Sequence, residues 1–446
     1  MNNFNYTGVW SIPNTDYKDL YGTLNFSQEN GAELKITSKN LLPINRKFDI
    51  INGYANGKQI TLKDCYIISG NEEFTRHNSF SNYSLIVGFI FVGVMFESID
   101  EINFSSASYR FDGLELWLFK NHFNSEFDTN SEKIEYTYPS NIPVHSNDSM
   151  IIEFIFRREY SFAHFRKHSL EEKAYVNFTY HLERTWSDIW DDIFIFGNLL
   201  TLFFRVPQNH SDFVLKHQNK EIIVFFKRDI SSNTWVSDVN NHLVLHSVKF
   251  TDVEDEFTNI VGKWFSNYEN LKDIFDLYFG AIVNYRYPNQ KFLNLMQFIE
   301  AFHRKTRTKI IDKIDEDIVR EILEFSKNKN INKNVRKKIS NRLEKEIEQP
   351  LKERFKHLYN ECAISHMIFI TDKIESLSNK LVNTRNYFTH YDTKPKDNII
   401  KNHDINQMIL NLENFVAYFM LLEVGFSSEK IKAIMQNRIG SSNINT

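Results

Sequence analysis

The sequence predicts an α+β multidomain protein in which an antiparallel β-rich N-terminal domain is followed by a C-terminal all-α helical bundle. Its 446 residues are about three times the usual domain length of roughly 150 residues, which favours more than one domain. In the first half, short segments alternate apolar and polar residues, whereas from about Val253 onward apolar residues recur every three or four positions. We therefore place the β-rich domain at residues 1–250 and the helical domain at residues 251–446.

The predicted strands of the first half follow period-two alternation and are separated by Asn, Asp, Ser and Gly. Their even spacing is typical of an antiparallel sandwich or barrel. From Thr185 the apolar spacing becomes helical, and Pro207 ends that segment, so we expect a helix at about 185–205 inserted in this domain. The predicted strands are Gly8–Trp10, Gly22–Phe26, Ala32–Thr37, Ile60–Leu62, Tyr66–Ile68, Leu85–Phe96, Glu101–Phe104, Leu114–Phe119, Met150–Arg157, Ala174–His181, Ile222–Phe226 and His242–Val248.

The second half is predicted to be helical throughout. Pro288, Pro350 and Pro395 lie between periodic segments, as residues that break helices should. The predicted helices are Phe265–Val283, Phe292–Lys305, Asp315–Ser326, Asn334–Glu348, Ile364–Tyr391, Asn406–Val424 and Ser428–Met435.

Composition excludes several classes of protein. Hydrophobic residues make up 42% of the chain, with 40 Phe, which supplies packed cores and argues against global disorder. The formal net charge of −4 is close to neutral, so total charge neither favours nor excludes a nucleic-acid partner. The 2 cysteines, Cys65 and Cys362, are too few and too far apart for a disulfide framework or a zinc knuckle. This cysteine usage fits a reducing cytoplasm.

The chain contains no segment suited to a membrane or to a common cofactor. The start, MNNFNYTGVW, lacks the basic and apolar regions of a secretory signal. The longest apolar run, Leu85–Phe96, has 12 residues, which are too few to cross about 30 Å of hydrocarbon as a helix. His164 and His168 lack a third metal ligand, and zinc-protease, P-loop and hydrolase motifs are absent from the sequence. We expect a cytoplasmic protein with no metal and no cofactor.

The segment Leu381–Asp392, LVNTRNYFTHYD, is the stretch best suited to chemistry. Asn386 and His390 are four residues apart, so on a helix they share one face, which Arg385 flanks. Pro395 predicts that the helix ends near His390, and a helix C-terminus favours positive charge by roughly 0.3–1 kcal/mol.

These residue types suit metal-independent cleavage of RNA through its own 2′-hydroxyl. An imidazole titrates near working pH, so His390 can take or give a proton. Arg385 can offset charge on the phosphorane, and Asn386 can orient the phosphate or the imidazole. Spacing alone, however, favours a surface arginine beside a helix-capping histidine.

A resemblance to a known family favours the catalytic interpretation over the surface one. The segment resembles the R-N-x-x-x-H signature of the HEPN superfamily, an all-α bundle in which such residues form a ribonuclease site. Phe292–Arg304 resembles a helix with a Glu-x-x-His-Arg ending found in the ApeA-like branch. Gly8-Val-Trp10, followed by Gly22-Thr-Leu24, resembles the β-rich domain that precedes the bundle there.

The resemblance implies catalytic roles for Arg385, Asn386 and His390. It also implies a homodimer or higher homo-oligomer formed through the bundle, and a role in defence against phage by abortive infection. We name Glu300 and Tyr391 as secondary site residues. Glu300 lies close in sequence to His303 and Arg304, and this cluster either supports the catalytic helix or forms a surface ion-pair group.

A basic run provides candidate RNA contacts. Residues 327–342, KNKNINKNVRKKISNR, contain seven Lys or Arg and no acidic residue. Such a run either neutralises phosphates or forms an ordinary solvated helix face. The candidate RNA-binding residues are Lys333, Arg336, Lys337 and Lys338.

Three hypotheses for function remain open at this point. The leading one is a metal-independent HEPN endoribonuclease whose β-rich domain recognises a phage-derived trigger or restrains the nuclease. The alternative is a non-catalytic HEPN module that binds a nucleotide or a protein partner. A third is a structural or carbohydrate-binding β-domain fused to an oligomerisation bundle.

Overall fold

The structure is a computed structural model, and its contacts divide the chain into two compact units. We call Met1–Phe265 the β unit and Ser266–Thr446 the helical unit. The residues that the structure describes are 3–39, 41–42, 47–74, 79–98, 103–111, 113–128, 131–164, 167–205, 208, 210–227, 248–283, 287–307, 313–328, 331–338, 349–370, 373–390 and 398–442.

The β unit is antiparallel throughout its described strands, which confirms the predicted β-rich N-terminal region. The strands are β1 Phe4–Ser11, β2 Leu20–Ser27, β3 Gly31–Ser38, β4 Lys47–Ala55, β5 Lys58–Phe74, β6 Ser79–Val92, β7 Asn103–Phe111, β8 Phe123–Asp128, β9 Ser131–Tyr136, β10 Ile142–Ser146, β11 Met150–His164, β12 Lys167–Thr185, β13 His210–His217 and β14 Lys220–Phe226.

Six of these strands close into a ring. The order β6-β3-β2-β1-β4-β5 returns on itself because β5 also pairs with β6, with Leu62 opposite Ile90. Alternate side chains point inward, as the pleat requires, and Trp10, Leu24 and Leu34 are fully buried in the resulting core. Of the two predicted architectures, this part of the chain adopts the barrel.

Strand β6 belongs to a second, open sheet as well. That sheet has the order β10-β11-β12-β7-β13-β14, and β14 pairs with the end of β6, where Phe226 lies opposite Phe89. Helix α2 (Trp186–Phe204) follows β12, and its capping residue Thr185 accepts a hydrogen bond from the Asp188 amide at 3.3 Å. Phe196 of this helix packs edge-on against Phe178 of β12, with ring centroids 6.0 Å apart.

Two predicted strands of the β unit require correction. Leu114–Phe119 was predicted as a strand, but helix α1 (Leu114–Leu118) occupies these residues. The run LELWLF has one polar residue, Glu115, and its buried residues are Leu114, Trp117 and Leu118, which is helical spacing. The predicted strand Leu85–Phe96 is too long, because β6 ends at Val92 and Gly93 has a left-handed φ of 113°.

The helical unit confirms the predicted all-α C-terminal region. Towards its start, and at the end of the β unit, the helices are α3 Phe250–Val253, α4 Phe257–Val283, α5 Pro288–Thr306 and α6 Lys313–Asn328. A helix over 333–338, α7, follows. The remaining helices are α8 Leu351–Glu361, α9 Ser365–Ile368, α10 Ile374–His390, α11 Ile405–Glu423 and α12 Ser428–Ser442.

The predicted single helix Ile364–Tyr391 was wrong. The chain forms the one-turn helix α9, leaves helical geometry at Phe369 and begins α10 at Ile374. The Phe369 ring packs against Phe355 of α8 and Phe415 of α11, with centroids 5.8 and 5.5 Å away. This aromatic contact explains why a continuous apolar pattern does not give a continuous helix.

Some predictions fall outside the described residues. The predicted strand His242–Val248 lies outside the described residues except for Val248. Tyr391 and the part of the predicted helix Asn334–Glu348 beyond residue 338 also lie outside them. Within the described chain, no helix combines the length and apolar character needed to cross a bilayer.

Candidate functional site

Helix α10 presents one apolar face to the core and carries the motif beside it. Leu377, Leu381, Thr384 and Phe388 are buried at helical spacing. Phe388 meets Phe292 of α5 edge-on, with ring centroids 5.8 Å apart. The side chains of Arg385, Asn386 and His390 therefore lie off the buried face, where solvent reaches them.

Arg385 is held between two neighbours at the contact of α5 and α10. Its Nη1 donates a hydrogen bond to Asn386 Oδ1 at 3.2 Å. Its Nη2 lies 3.7 Å from Glu300 Oε2, while the other Glu300 oxygen lies 3.1 Å from Arg304 Nη2. One carboxylate thus faces two guanidinium groups, which leaves a net positive charge. About a third of the Arg385 side chain is exposed, at 34%, so its remaining donors can reach an anion.

His390 is the last residue of α10 and is exposed. Residues 391–397, which include Pro395, lie outside the described residues. Asn386 lies one turn earlier than His390 on the same face. Among the described residues, no hydrogen bond joins Arg385 directly to His390 in one copy of the chain.

The chain that returns after the motif is tied to α10 by two polar residues. Thr384 is fully buried, and its hydroxyl donates to Lys380 O at 2.7 Å and accepts from the Ile400 amide at 2.8 Å. Asn383 Nδ2 donates to Asn398 O at 3.3 Å. These bonds fix the position of residues 398–400 against the helix turn that precedes Arg385. No sequence signal predicts this anchor, because a threonine within a helix carries no distinctive pattern.

The predicted cluster of Glu300, His303 and Arg304 does not stay together. Glu300 lies between Arg304 and Arg385, whereas His303 is buried, at 3% exposed. Its ring lies edge-on to His357 with centroids 5.0 Å apart. Desolvation, and then the nearby His357, Arg354 and Arg307, lower the pKa of His303 to about 4. His303 is therefore a neutral packing residue.

Residues 333–338 of the basic run form helix α7. Asn332 Oδ1 accepts from the Asn334 amide at 2.9 Å, which caps its start. Lys333, Lys337 and Lys338 are exposed, whereas Arg336 turns back and donates to Ile331 O at 3.2 Å. The three lysines are therefore open to solvent, while Arg336 contributes to the local fold.

Comparison with protein families covers both units. Residues 5–264 match the family described as ApeA N-terminal domain 1, and residues 293–430 match the family described as Apea-like HEPN. Glu300, Arg385, Asn386 and His390 all lie within the second match. Neither a curated protein nor a solved structure matches the chain. Membership of the HEPN superfamily indicates a ribonuclease-type or nucleotide-binding module. The chain belongs to the ApeA-like HEPN family.

Proposed function

We propose that the helical unit is a metal-independent endoribonuclease that uses Arg385, Asn386 and His390. The observation that carries this proposal is the end of α10, where an exposed imidazole follows an arginine that an acid and an amide hold in place. These are the groups that a transphosphorylation needs.

In the proposed reaction, the RNA 2′-oxygen attacks the adjacent phosphorus and the bond to the 5′-oxygen breaks. An imidazole accepts the 2′-hydroxyl proton, or an imidazolium protonates the leaving 5′-oxygen. Arg385 donates hydrogen bonds to the non-bridging oxygens of the phosphorane as negative charge develops on them. The net positive charge around Arg385 stabilises this dianionic phosphorane. Each copy of the chain brings one motif histidine, His390, to this site, whereas the reaction uses both an acid and a base. We therefore also propose a homodimer, or a higher homo-oligomer, in which two copies supply these two groups.

The test is incubation of the full chain with total RNA in EDTA. We expect cleavage by the native protein and its loss in Arg385→Ala and His390→Ala. His403→Ala is a matched control, because His403 is an exposed histidine of the same unit that is 72% exposed and lies beside Asp404. Equal activity in His390→Ala and His403→Ala would contradict the proposal.

The same experiment separates the alternative, a non-catalytic module in which Arg385 and His390 hold a phosphate. The exposed guanidinium and the helix-end imidazole support phosphate binding as readily as cleavage. Retained binding of RNA or nucleotide without any strand scission would favour this module.

We propose further that residues 1–250 control the nuclease, in an antiphage role that ends in abortive infection of the cell. A toxic nuclease requires restraint, and a boundary at residue 250 leaves α4 whole. Expression of residues 251–446 should be more toxic than expression of the full chain, and this toxicity should depend on His390. Equal toxicity of the two forms would count against control by the β-rich domain.

A further inference from the structure

Strands β8 and β9 form a sheet of their own in the β unit. Their register runs from Phe123 opposite Tyr136 to Asp128 opposite Ser131. Neither strand pairs with another strand in the part of the chain that the structure describes. An isolated two-stranded hairpin is only marginally stable in water, and further strands or a packed face are usually needed.

The base of this hairpin is fixed to the β unit. Glu172 of β12 accepts a hydrogen bond from the Tyr136 hydroxyl at 2.6 Å and lies 2.8 Å from His122 Nδ1. The Phe123 and Tyr136 rings pack across the two strands with centroids 4.9 Å apart. The hairpin is therefore anchored at one end, and its outer part extends into solvent.

One face of the outer part carries two exposed apolar residues beside the positions of Ser125 and Glu132. Phe127 and Ile134 point to the same face as Phe123 and Tyr136, because residues two apart on a strand share a side. Phe127 is 73% exposed and Ile134 is 68% exposed. Two large apolar side chains on a projecting strand pair mark an association surface.

The charges distinguish the two edges of the hairpin. Strand β8 carries Glu126 and Asp128 and no basic residue, so two copies of this edge would repel each other. Strand β9 carries Glu132, Lys133 and Glu135, and the side chains of Lys133 and Glu135 lie 3.5 Å apart on the polar face. The β9 edge thus has the alternating charge that self-pairing requires.

Only one antiparallel self-pairing of β9 satisfies these charges. If Ile134 lies opposite Ile134 of a second copy, Lys133 faces Glu135 of that copy, and the reciprocal pair forms by symmetry. Centring on Lys133 or on Glu135 would bring like charges together. A one-residue slip would oppose apolar and polar faces.

We propose that two copies of this chain join through the β9 edge and form a four-stranded antiparallel sheet in the order β8-β9-β9-β8. The pairing satisfies the open backbone groups of both β9 edges. It brings Ile134 and Phe127 of both copies to one face of the sheet, and it aligns two Lys133–Glu135 ion pairs. This interface lies in the β unit and does not depend on the activity proposed for the helical unit.

The test is a symmetric disulfide. Directly opposed residues of antiparallel strands have Cα atoms about 4.5–5.5 Å apart, within the range a disulfide spans. Under mild oxidation, full-length Ile134→Cys should form a covalent dimer on a non-reducing gel. The native Cys65 and Cys362 are buried and should not compete.

Phe127→Cys is the matched control, because it is equally exposed on the same hairpin but lies on β8. Three strand spacings, roughly 14 Å, would separate its two copies in the proposed sheet. Dimer yield should be at least tenfold lower than for Ile134→Cys. Equal yields from the two variants, or none from Ile134→Cys, would overturn the proposal.

A charge exchange tests the register independently. Added to Ile134→Cys, Lys133→Glu places acids opposite each other and should reduce the dimer yield at least threefold. The further change Glu135→Lys restores opposite charges in exchanged positions and should recover the yield. A double variant as poor as the single variant would refute this register.

Discussion

Two histidines, one in each unit, show how their surroundings separate a structural residue from one available for chemistry. His122 of the β unit is part-buried, with its Nδ1 2.8 Å from Glu172, and the Tyr136 hydroxyl binds the same carboxylate. His390 of the helical unit is exposed at a helix end, near an arginine with unused donors. A histidine with a fixed acid partner stabilises a fold, whereas one that solvent reaches can exchange protons with a substrate.

Exchange of each histidine for asparagine tests this contrast most strongly. His390→Asn should reduce RNA cleavage about 100- to 10,000-fold, because asparagine cannot transfer the proton. His122→Asn should leave the rate within about twofold and lower the unfolding free energy by roughly 1–3 kcal/mol, because Glu172 loses a buried partner. Cleavage rates and denaturant unfolding measure both effects. If His122→Asn abolished cleavage in a stable protein, the contrast would fail.

A third histidine sharpens the comparison through pH. The pKa of His303 falls from its ordinary value of 6.5 to about 4 in the folded chain, so the unfolded state binds more protons between these values. Stability conferred by neutral His303 should be complete above pH 6.5 and decline as the pH falls towards 4, by up to roughly 3 kcal/mol.

Urea unfolding at several pH values checks this prediction against His303→Gln, which cannot titrate. The pH dependence of the native protein should be steeper than that of the variant in this window. Parallel curves would mean that His303 is readily protonated in the folded state.

The anchor at Thr384 should matter more than a similar hydroxyl on the same helix. Thr384→Val leaves the Ile400 amide buried without its acceptor, at a cost of about 1–3 kcal/mol. Thr389→Val removes an exposed hydroxyl that donates to Arg385 O at 2.8 Å and should cost less than about 0.5 kcal/mol. Thermal unfolding of the two variants, with Thr384→Ser as a conservative rescue, provides the measurement. Equal losses from both valine variants would contradict the anchor.

The smallest expected effect concerns the carboxylate beside Arg385. Glu300→Gln keeps the side-chain shape but removes the charge that holds the guanidinium, so kcat should fall by about three- to tenfold with little change in KM. Glu375→Gln is the control, because Glu375 pairs with Lys352 and Lys356 at the opposite end of α10. A rate loss in Glu375→Gln as large as that in Glu300→Gln would show that the effect is not specific to Arg385.

The order of strands and helices could be predicted from the sequence because burial imposes a period on each element. Alternation located β1 to β3, and helical spacing located α5 and α11. The strand prediction failed at the mostly apolar run Leu114–Phe119, where Leu116 is 39% exposed and the buried residues follow helical spacing. The polar stretch that holds the β8–β9 hairpin carried no strand signal, because both of its faces reach solvent.

The motif residues of the candidate site could be predicted from the sequence, but the residues that contact them could not. The spacing of Asn386 and His390 placed them on one face of the helix. The pairing of Arg385 with Glu300 joins residues 85 positions apart in the sequence, so no local pattern predicts it. The sequence predicted one cluster of Glu300, His303 and Arg304 because these residues are close in sequence. The structure shows that His303 is buried in the core.

Because β6 is a member of both the closed ring and the open sheet, neither sheet is a complete module. Removing the open sheet would leave the end of β6 without β14, and removing the ring would leave β14 without β6. We therefore expect the two sheets to melt in a single transition and to have been inherited as one evolutionary piece. A graft that transfers either sheet alone to another scaffold should yield insoluble material.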